Sequence, residues 1–307
     1  MRDKDTPQES RYTLILQATR QLKDENTDQI MAIFDDALSV PQEDAGIYLV
    51  KAMLMARHDF PRDEVNAVYR QALAVEPDNE MAQGLLVQNL AEEERFDEIV
   101  DLCKTSLQYT PDNQQLCYFE GFSLFQLKRN DEALASLQKT VELRDEESDS
   151  GMMADCYSLM GEIYREKGMN KACYEAYDSC LHYAPDNVGA LNNYAYYLSL
   201  DSAADLQKAE QMSLKAVQKE PDNATFLDTY AWILFKEKRY DDAKTIAERA
   251  IASDSTLSSV VVEHCGDIFY MAGDTDRAME MWQKAAQEDE NNAILRRKIE
   301  LKKYIEE

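Results

Sequence analysis

The sequence predicts an all-α protein built as a stack of helix pairs, and three observations carry that expectation. Glycine (9) and proline (7) are scarce among 307 residues while 30% of the chain is charged, a composition that favours long helices over a turn-rich β fold. The phrase Pro-Asp-Asn recurs at Pro77–Asn79, Pro111–Asn113, Pro185–Asn187 and Pro221–Asn223, its prolines 34, 74 and 36 residues apart. The middle gap holds two periods of 34 with six residues over. A second start signal stands at Asp63, Asp97, Asp131, Asp241 and Asp276, each just before another amphipathic run. A chain this long exceeds one ordinary core, but an array escapes that limit because each repeat touches only its neighbours.

Each phrase has a local mechanism. Proline cannot continue a helix, and the asparagine two places on can accept a hydrogen bond from a free backbone N–H of the next one. Every repeat therefore reads as helix A, a tight turn and helix B. The first, roughly residues 11–45 within an N-terminal segment 1–45, is degenerate, with Phe34 and Ala37 as its clearest features. The second to fourth span 46–79, 80–113 and 114–147. A loop at 148–153, within "EESDSGMM" (146–153), then interrupts the period. It either bends the stack, serves as a contact, or is a solvated insertion, which costs little. The fifth to eighth repeats span 154–187, 188–223, 224–257 and 259–292. Asp145, Ser255 and Glu290 replace the proline at the ends of the fourth, seventh and eighth repeats. Residues 293–307 make a capping helix opened by Asn292 and carrying Arg296, Arg297, Lys298, Lys302 and Lys303, which covers the exposed end as a solenoid requires.

The eighth place of helix A holds Gly121, Gly161, Ala195, Ala231 and Gly266, with Met53 and Val87 departing. Helix B carries small residues seven apart: Ala133 and Thr140, Cys173 and Cys180, Ala209 and Ala216, Ala243 and Ala250, Ala278 and Ala285. Small residues at these places let two helices approach closely. With the 34-residue period, and with phrases such as "FLDTYAWILFKEKRYDDAKTIAERA", the chain resembles the tetratricopeptide repeat family in its bacterial form.

That resemblance implies a right-handed superhelical solenoid of helix-turn-helix repeats whose concave groove is lined mainly by helix A, at its second, fifth, ninth, twelfth and thirteenth places. The residues so mapped are Tyr118, Phe122 and Phe125 in the fourth repeat and Ser158, Glu162 and Arg165 in the fifth. The sixth supplies Asn192 and Tyr196, the seventh Asp228, Trp232 and Phe235, and the eighth Glu263, Asp267 and Tyr270. Tyr196 and Trp232 are the leading candidates for partner contact, against the alternative that they pack on the neighbouring helix. Asn192 or Asn193 can bond a ligand backbone or bond within the repeat. No lysine stands at the fifth places, which argues against a clamp for a peptide C-terminal carboxylate. Asp228, Glu263 and Asp267 together predict a preference for neutral or basic segments.

The implied function is a protein-protein interaction module or scaffold that binds a peptide or partner helix, with a self-assembling or structural spacer within a larger, possibly cell-envelope, protein as the alternative. A monomer is favoured. The formal charge of −26 disfavours nucleic acid and anionic membranes. No phosphate loop, HExxH, GxSxG or EF-hand phrase occurs, so neither catalysis nor a cofactor nor a metal is expected. Six scattered cysteines read as small core residues; Cys173 and Cys180 read so rather than as metal ligands. The adjacent Glu263, His264 and Cys265 point in different directions on a helix. Without an N-terminal apolar run the sequence as written reads as cytoplasmic. Its ragged first repeat instead points to a fragment of a longer protein that is periplasmic or lipid-anchored.

Overall fold

The computed structural model describes residues 27–39, 42, 44–201, 205–254, 256–289 and 291–306. Helix A of the degenerate first repeat, Ser255 and Glu290 lie outside the described residues. Sixteen helices and no strand occur among those described. They are α1 (Thr27–Leu38), α2 (Gly46–Arg57), α3 (Arg62–Val75), α4 (Glu80–Glu92), α5 (Phe96–Ser106), α6 (Gln114–Gln126), α7 (Asn130–Glu142) and α8 (Ser150–Glu166). There follow α9 (Asn170–Tyr183), α10 (Val188–Ser199), α11 (Leu206–Lys219), α12 (Ala224–Lys236), α13 (Tyr240–Ser253), α14 (Ser259–Met271), α15 (Thr275–Glu288) and α16 (Ala293–Leu301). The chain divides into two compact units, Met1–Ile163 and Tyr164–Glu307.

The asparagine start signals act as the sequence predicts. The side chains of Asn79, Asn113, Asn187, Asn223 and Asn292 accept from the backbone N–H of Ala82, Leu116, Ala190, Phe226 and Leu295, supplying partners to otherwise orphaned donors. The aspartates of the second signal do not precede their helices. Asp63, Asp97, Asp131, Asp241 and Asp276 sit inside the first turn, where their charge suits the helix dipole.

What ends helix A is a turn the sequence conceals. Glu94, Lys128, Gly168, Lys238 and Gly273 all have positive φ, and each is followed by a backbone N–H that reaches back into the helix, as in Arg95 to Leu90 at 3.0 Å and Arg239 to Leu234 at 2.9 Å. This is a Schellman closure, made here by charged residues as often as by glycine. In the second repeat the left-handed residue is Asp59 and helix B begins three residues on, at Arg62, rather than two. The extra residue shifts helix A by one. Ala52, fully buried, takes the small-residue place, and Met53 is 49% exposed; Met53 is thus no departure from the pattern.

The expected loop at 148–153 is also shorter than its sequence implies. Asp149 accepts from the Met152 N–H, so residues 150–153 form an added first turn of α8 and Met153 is fully buried. Asp145 and Ser148 tie the remaining loop through a 2.9 Å bond.

In the N-terminal unit one apolar cluster runs from Ala45 to Leu116, while Ile30, Phe34 and Ile47 join α1 to α2. In the C-terminal unit the cluster from Ala231 to Leu295 includes Trp282, fully buried. All ten small residues of the helix B pairs are fully buried. The A–B approach is closest at Gly266, where a Cβ would stand 2.6 Å from the Trp282 indole nitrogen, whereas nothing lies within 4 Å of a Cβ at Gly84. Gly266→Ala should therefore destabilise by about 1–3 kcal/mol through overpacking. Gly84→Ala, on a helix of equal length, should stabilise by roughly 0.5–1 kcal/mol through helix propensity. Urea denaturation of the two variants checks the opposite signs.

Candidate functional site

Helix A of each repeat in the C-terminal unit offers the same places to its neighbour, and two charged contacts follow from that register. Asp228, at the fifth place of α12, meets His264, at the sixth place of α14, with Oδ2 2.9 Å from Nδ1. Glu263, at the fifth place of α14, accepts from Lys298, at the sixth place of α16, at 2.7 Å. Lys298 also donates to Asp267 at 2.7 Å, and Trp282 gives its indole N–H to the other oxygen of Asp267 at 2.9 Å. Asn292 caps α16 with its carbonyl oxygen and donates its amide to Glu263 at 2.9 Å. All five charged groups are buried, Lys298 to 1% exposure.

Burial sets the protonation behaviour of this cluster. Desolvation pushes the Asp267 carboxyl up to about 6, although Lys298 and the Trp282 N–H pull it down. Burial pulls His264 down, and Asp228 beside it, with Asp267 and Glu263 further off, pulls it up by more, so its pKa lies above the ordinary value. Both groups bind protons more tightly folded than unfolded. Each contribution to stability is complete below its unfolded pKa and is lost as pH rises through its folded one, which for Asp267 means between about pH 4 and 6. Carbon-detected NMR should place the Asp267 midpoint near 6. In Lys298→Met it should move higher still, since the cation that favours the carboxylate is gone.

Trp232, at the ninth place of α12, lies over His264 with ring centroids 4.0 Å apart and over Phe235 at 4.9 Å. It is 7% exposed, and its indole N–H makes no hydrogen bond within the protein. Beside it opens a cavity of about 760 Å³, whose walls include Arg165, Tyr196, Leu200, Lys236 and Val260. Leu200 and Val260 are large apolar residues left exposed. The Lys236 ammonium lies 5.2 Å from the Trp232 ring and has no ion-pair partner among the described residues.

The cavity brings together Arg165, Tyr196, Trp232, Glu263 and Asp267 of the residues mapped from the sequence. Asp228 and Phe235 stand behind its wall, against His264 and Trp232. Tyr270 faces elsewhere, tilted on Trp282 at 5.5 Å. Asn192 is buried and donates to Asn193 at 3.1 Å. In the N-terminal unit Tyr118 packs on Phe122, 6.2 Å between centroids, and donates to Asp155 at 3.4 Å. Phe122 meets Phe96 edge-on, Lys128 lies over Phe125, and Ser158 and Glu162 are half-buried.

Two features of the site differ from what the sequence implies. Trp232, expected to offer its face to a partner, is largely enclosed by its own neighbours, because its ring fills the gap between α12 and α14. Asp228, Glu263 and Asp267, expected to form an acidic face, are each engaged within the protein: Asp228 pairs with His264, and Glu263 and Asp267 share Lys298, so their field is reduced. His264 and Lys298 were legible only as an acid at the fifth place followed, one repeat on, by a base at the sixth. Lys236 and Leu200 carried no signal in the sequence.

The six cysteines are buried and form no disulfide among the described residues; burial pushes Cys156 up to about 12, which keeps it a packing thiol rather than a reactive one. Among the described residues no group of three or more His, Cys, Asp or Glu is placed to hold a metal ion, and no helix is long and apolar enough to cross a membrane.

Residues 154–187, the fifth repeat as read from the sequence, match a family model described as a tetratricopeptide repeat. No curated protein matches the chain. Among solved structures, a tetratricopeptide repeat protein from Parabacteroides merdae ATCC 43184 aligns over 84% of this chain and 98% of its own, with a TM-score of 0.55 and 13% identity. YrrB, a tetratricopeptide protein with an unusual peptide-binding site, aligns over 61% of this chain and 92% of its own (TM-score 0.52, 11% identity). The Cut9–Hcn1 hetero-tetramer of the anaphase-promoting complex contributes a chain that aligns over 90% of this one and 53% of its own (TM-score 0.56, 13% identity). At these identities the likeness is one of fold. Residues 154–187 are thus matched as a tetratricopeptide repeat, and the chain shares the all-helical fold of tetratricopeptide repeat arrays.

Proposed function

We propose that this array is a protein-binding scaffold whose C-terminal unit takes an extended partner segment into the cavity beside Trp232. The observation that carries this reading is the cavity itself. Its walls include the second, ninth, twelfth and thirteenth places of successive A helices, and they combine exposed apolar residues (Leu200, Val260) with a half-buried tyrosine and a lysine that has no ion-pair partner among the described residues. Concave sites with an apolar wall and a few polar groups are the usual form of a recognition surface. The peptide-binding site named for YrrB and the assembly of Cut9 with Hcn1 lend support. The preference for neutral or basic segments expected from Asp228, Glu263 and Asp267 is weakened, since Asp228 pairs with His264 and Glu263 and Asp267 share Lys298.

Photo-crosslinking tests the reading. A benzophenone side chain placed at Tyr196 or Val260 should trap the same discrete partner from cells, and one at Lys171, exposed on helix B of the fifth repeat, should not. Equal trapping from all three positions would reject the cavity as the binding site.

A further inference from the structure

Beyond Lys298, the last described residues do something that capping the stack does not require. α16 ends at Lys302, whose φ of 50° and ψ of 42° are left-handed, and the N–H of Lys303 returns to the Lys298 carbonyl at 3.1 Å. The chain then leaves the helix and runs on through Tyr304 to Glu306 without regular secondary structure. The Tyr304 ring stands edge-on to Phe235 at 5.6 Å, and the Lys298 ammonium lies 5.6 Å from its centroid. Phe235 belongs to α12, so the segment reaches past α14 to an element two A helices away. Terminal residues ordinarily fray unless something holds them. Here Lys302 and Lys303 are exposed, yet Tyr304 and Ile305 are half-buried. Tyr304, Ile305 and Glu306 form one side of the cavity that Trp232, Lys236 and Arg165 form on the other.

We propose that Tyr304–Glu306 is a built-in stand-in for the partner of this cavity, and that the partner which displaces it is an extended segment of the same order: an aromatic, an aliphatic and an acidic residue. The proposal rests on the cavity being the partner site. Three matches carry it. The aromatic residue stands edge-on to Phe235, the ring stacked on Trp232, a geometry that ring pairs favour. The aliphatic residue meets a wall that leaves Leu200 and Val260 open to it. The acid, Glu306, lines the same cavity as Lys236, whose ammonium has no ion-pair partner among the described residues, in a chain of charge −26. The carboxylates that would repel an acid are matched by His264 and Lys298; Asp201, also in the wall, accepts from Tyr174. A tethered occupant competes at an effective concentration in the millimolar range, so a partner meets only the fraction of molecules whose cavity is clear.

The chain has two tryptophans, so the indole N–H signals of Trp232 and Trp282 can be followed separately by NMR. The probe is a synthetic peptide of residues 302–307, added to the full chain, to a chain ending at Leu301, and to full-length Tyr304→Ala. Loss of the tail should shift the Trp232 signal and leave Trp282, which is held by Asp267, nearly unmoved. The peptide should return the Trp232 signal toward its original position in the shortened chain and in Tyr304→Ala. The full chain should need at least about ten-fold more peptide for the same displacement. A peptide carrying alanine for Tyr304 should be inert.

A Trp232 signal indifferent to the tail, equal response of all three proteins, or no response of the shortened chain and Tyr304→Ala would overturn the proposal. Should the shortened chain fail to fold, the Tyr304→Ala comparison decides alone. If the peptide behaves as expected but crosslinkers at Tyr196 trap no partner, the stand-in is real and the binding role fails. If a partner is trapped equally well with and without the tail, the binding role stands and the stand-in fails.

Discussion

Replacing Lys298 with methionine should lower the stability of the C-terminal unit by about 3–5 kcal/mol, the loss typical of removing one partner from a buried ion pair. The residue is 1% exposed and donates at 2.7 Å to both Glu263 and Asp267. Without it two carboxylates share a dry site, and either Asp267 takes up a proton or α16 lifts to admit water. Methionine keeps most of the side-chain volume, so the loss is one of charge rather than packing. The control is the triple variant Lys298→Met, Glu263→Gln, Asp267→Asn, which removes the whole network and should recover much of the stability, since a matched neutral site escapes the desolvation cost. Urea titration read by tryptophan fluorescence reports on this unit specifically, because Trp232 and Trp282 both lie in it. A loss below about 1 kcal/mol, as for surface pairs, would show that Lys298 is not sealed in place.

Trp232→Ala should cost a comparable amount, about 3–5 kcal/mol, as large aromatic truncations in cores do. The ring separates Phe235 from His264, and its loss would open His264 and Asp228 to solvent. Trp232→Phe keeps an aromatic ring and forfeits no hydrogen bond, because the indole N–H has none within the protein; it should cost well under half as much. Tyr196→Ala, at a half-buried ring beside the cavity, should cost about 1 kcal/mol or less, in the range of ordinary surface changes. The contrast in denaturation midpoints separates the residue that builds the cavity from the one that faces a ligand. Equal costs at Trp232 and Tyr196 would contradict that division.

The parts of the fold legible in the sequence were those with a local chemical cause. Asn79, Asn113, Asn187, Asn223 and Asn292 could be read as caps because proline stops and asparagine starts are written in adjacent residues. The helix B pairs could be read because a close approach admits few side chains, and Gly266 shows how little room there is. The turn residues were hidden because Glu94, Lys128 and Lys238 adopt a backbone state that their identities do not advertise. Ala52 was hidden because the extra residue before α3 shifts the register silently. For the site, the ninth and twelfth places of helix A, which stand in the cavity wall at Tyr196 and Arg165, were legible in the repeat register. Its electrostatics were not, because the sign of the field depends on which base lies one repeat away. Asp228 with His264, and Glu263 with Lys298, are separated by 36 and 35 residues, and only the repeat register joins them.

The most direct test of the central claim is the affinity of the partner trapped at Tyr196 for three variants, measured by calorimetry: Tyr196→Ala and Lys236→Ala in the cavity wall, and Lys171→Ala on helix B. The cavity account predicts a loss of at least about ten-fold for each of the first two, on the scale of about 1.4 kcal/mol that a single well-placed contact contributes, and no change for the third. Unchanged binding to both cavity variants, with their folding intact, would contradict it.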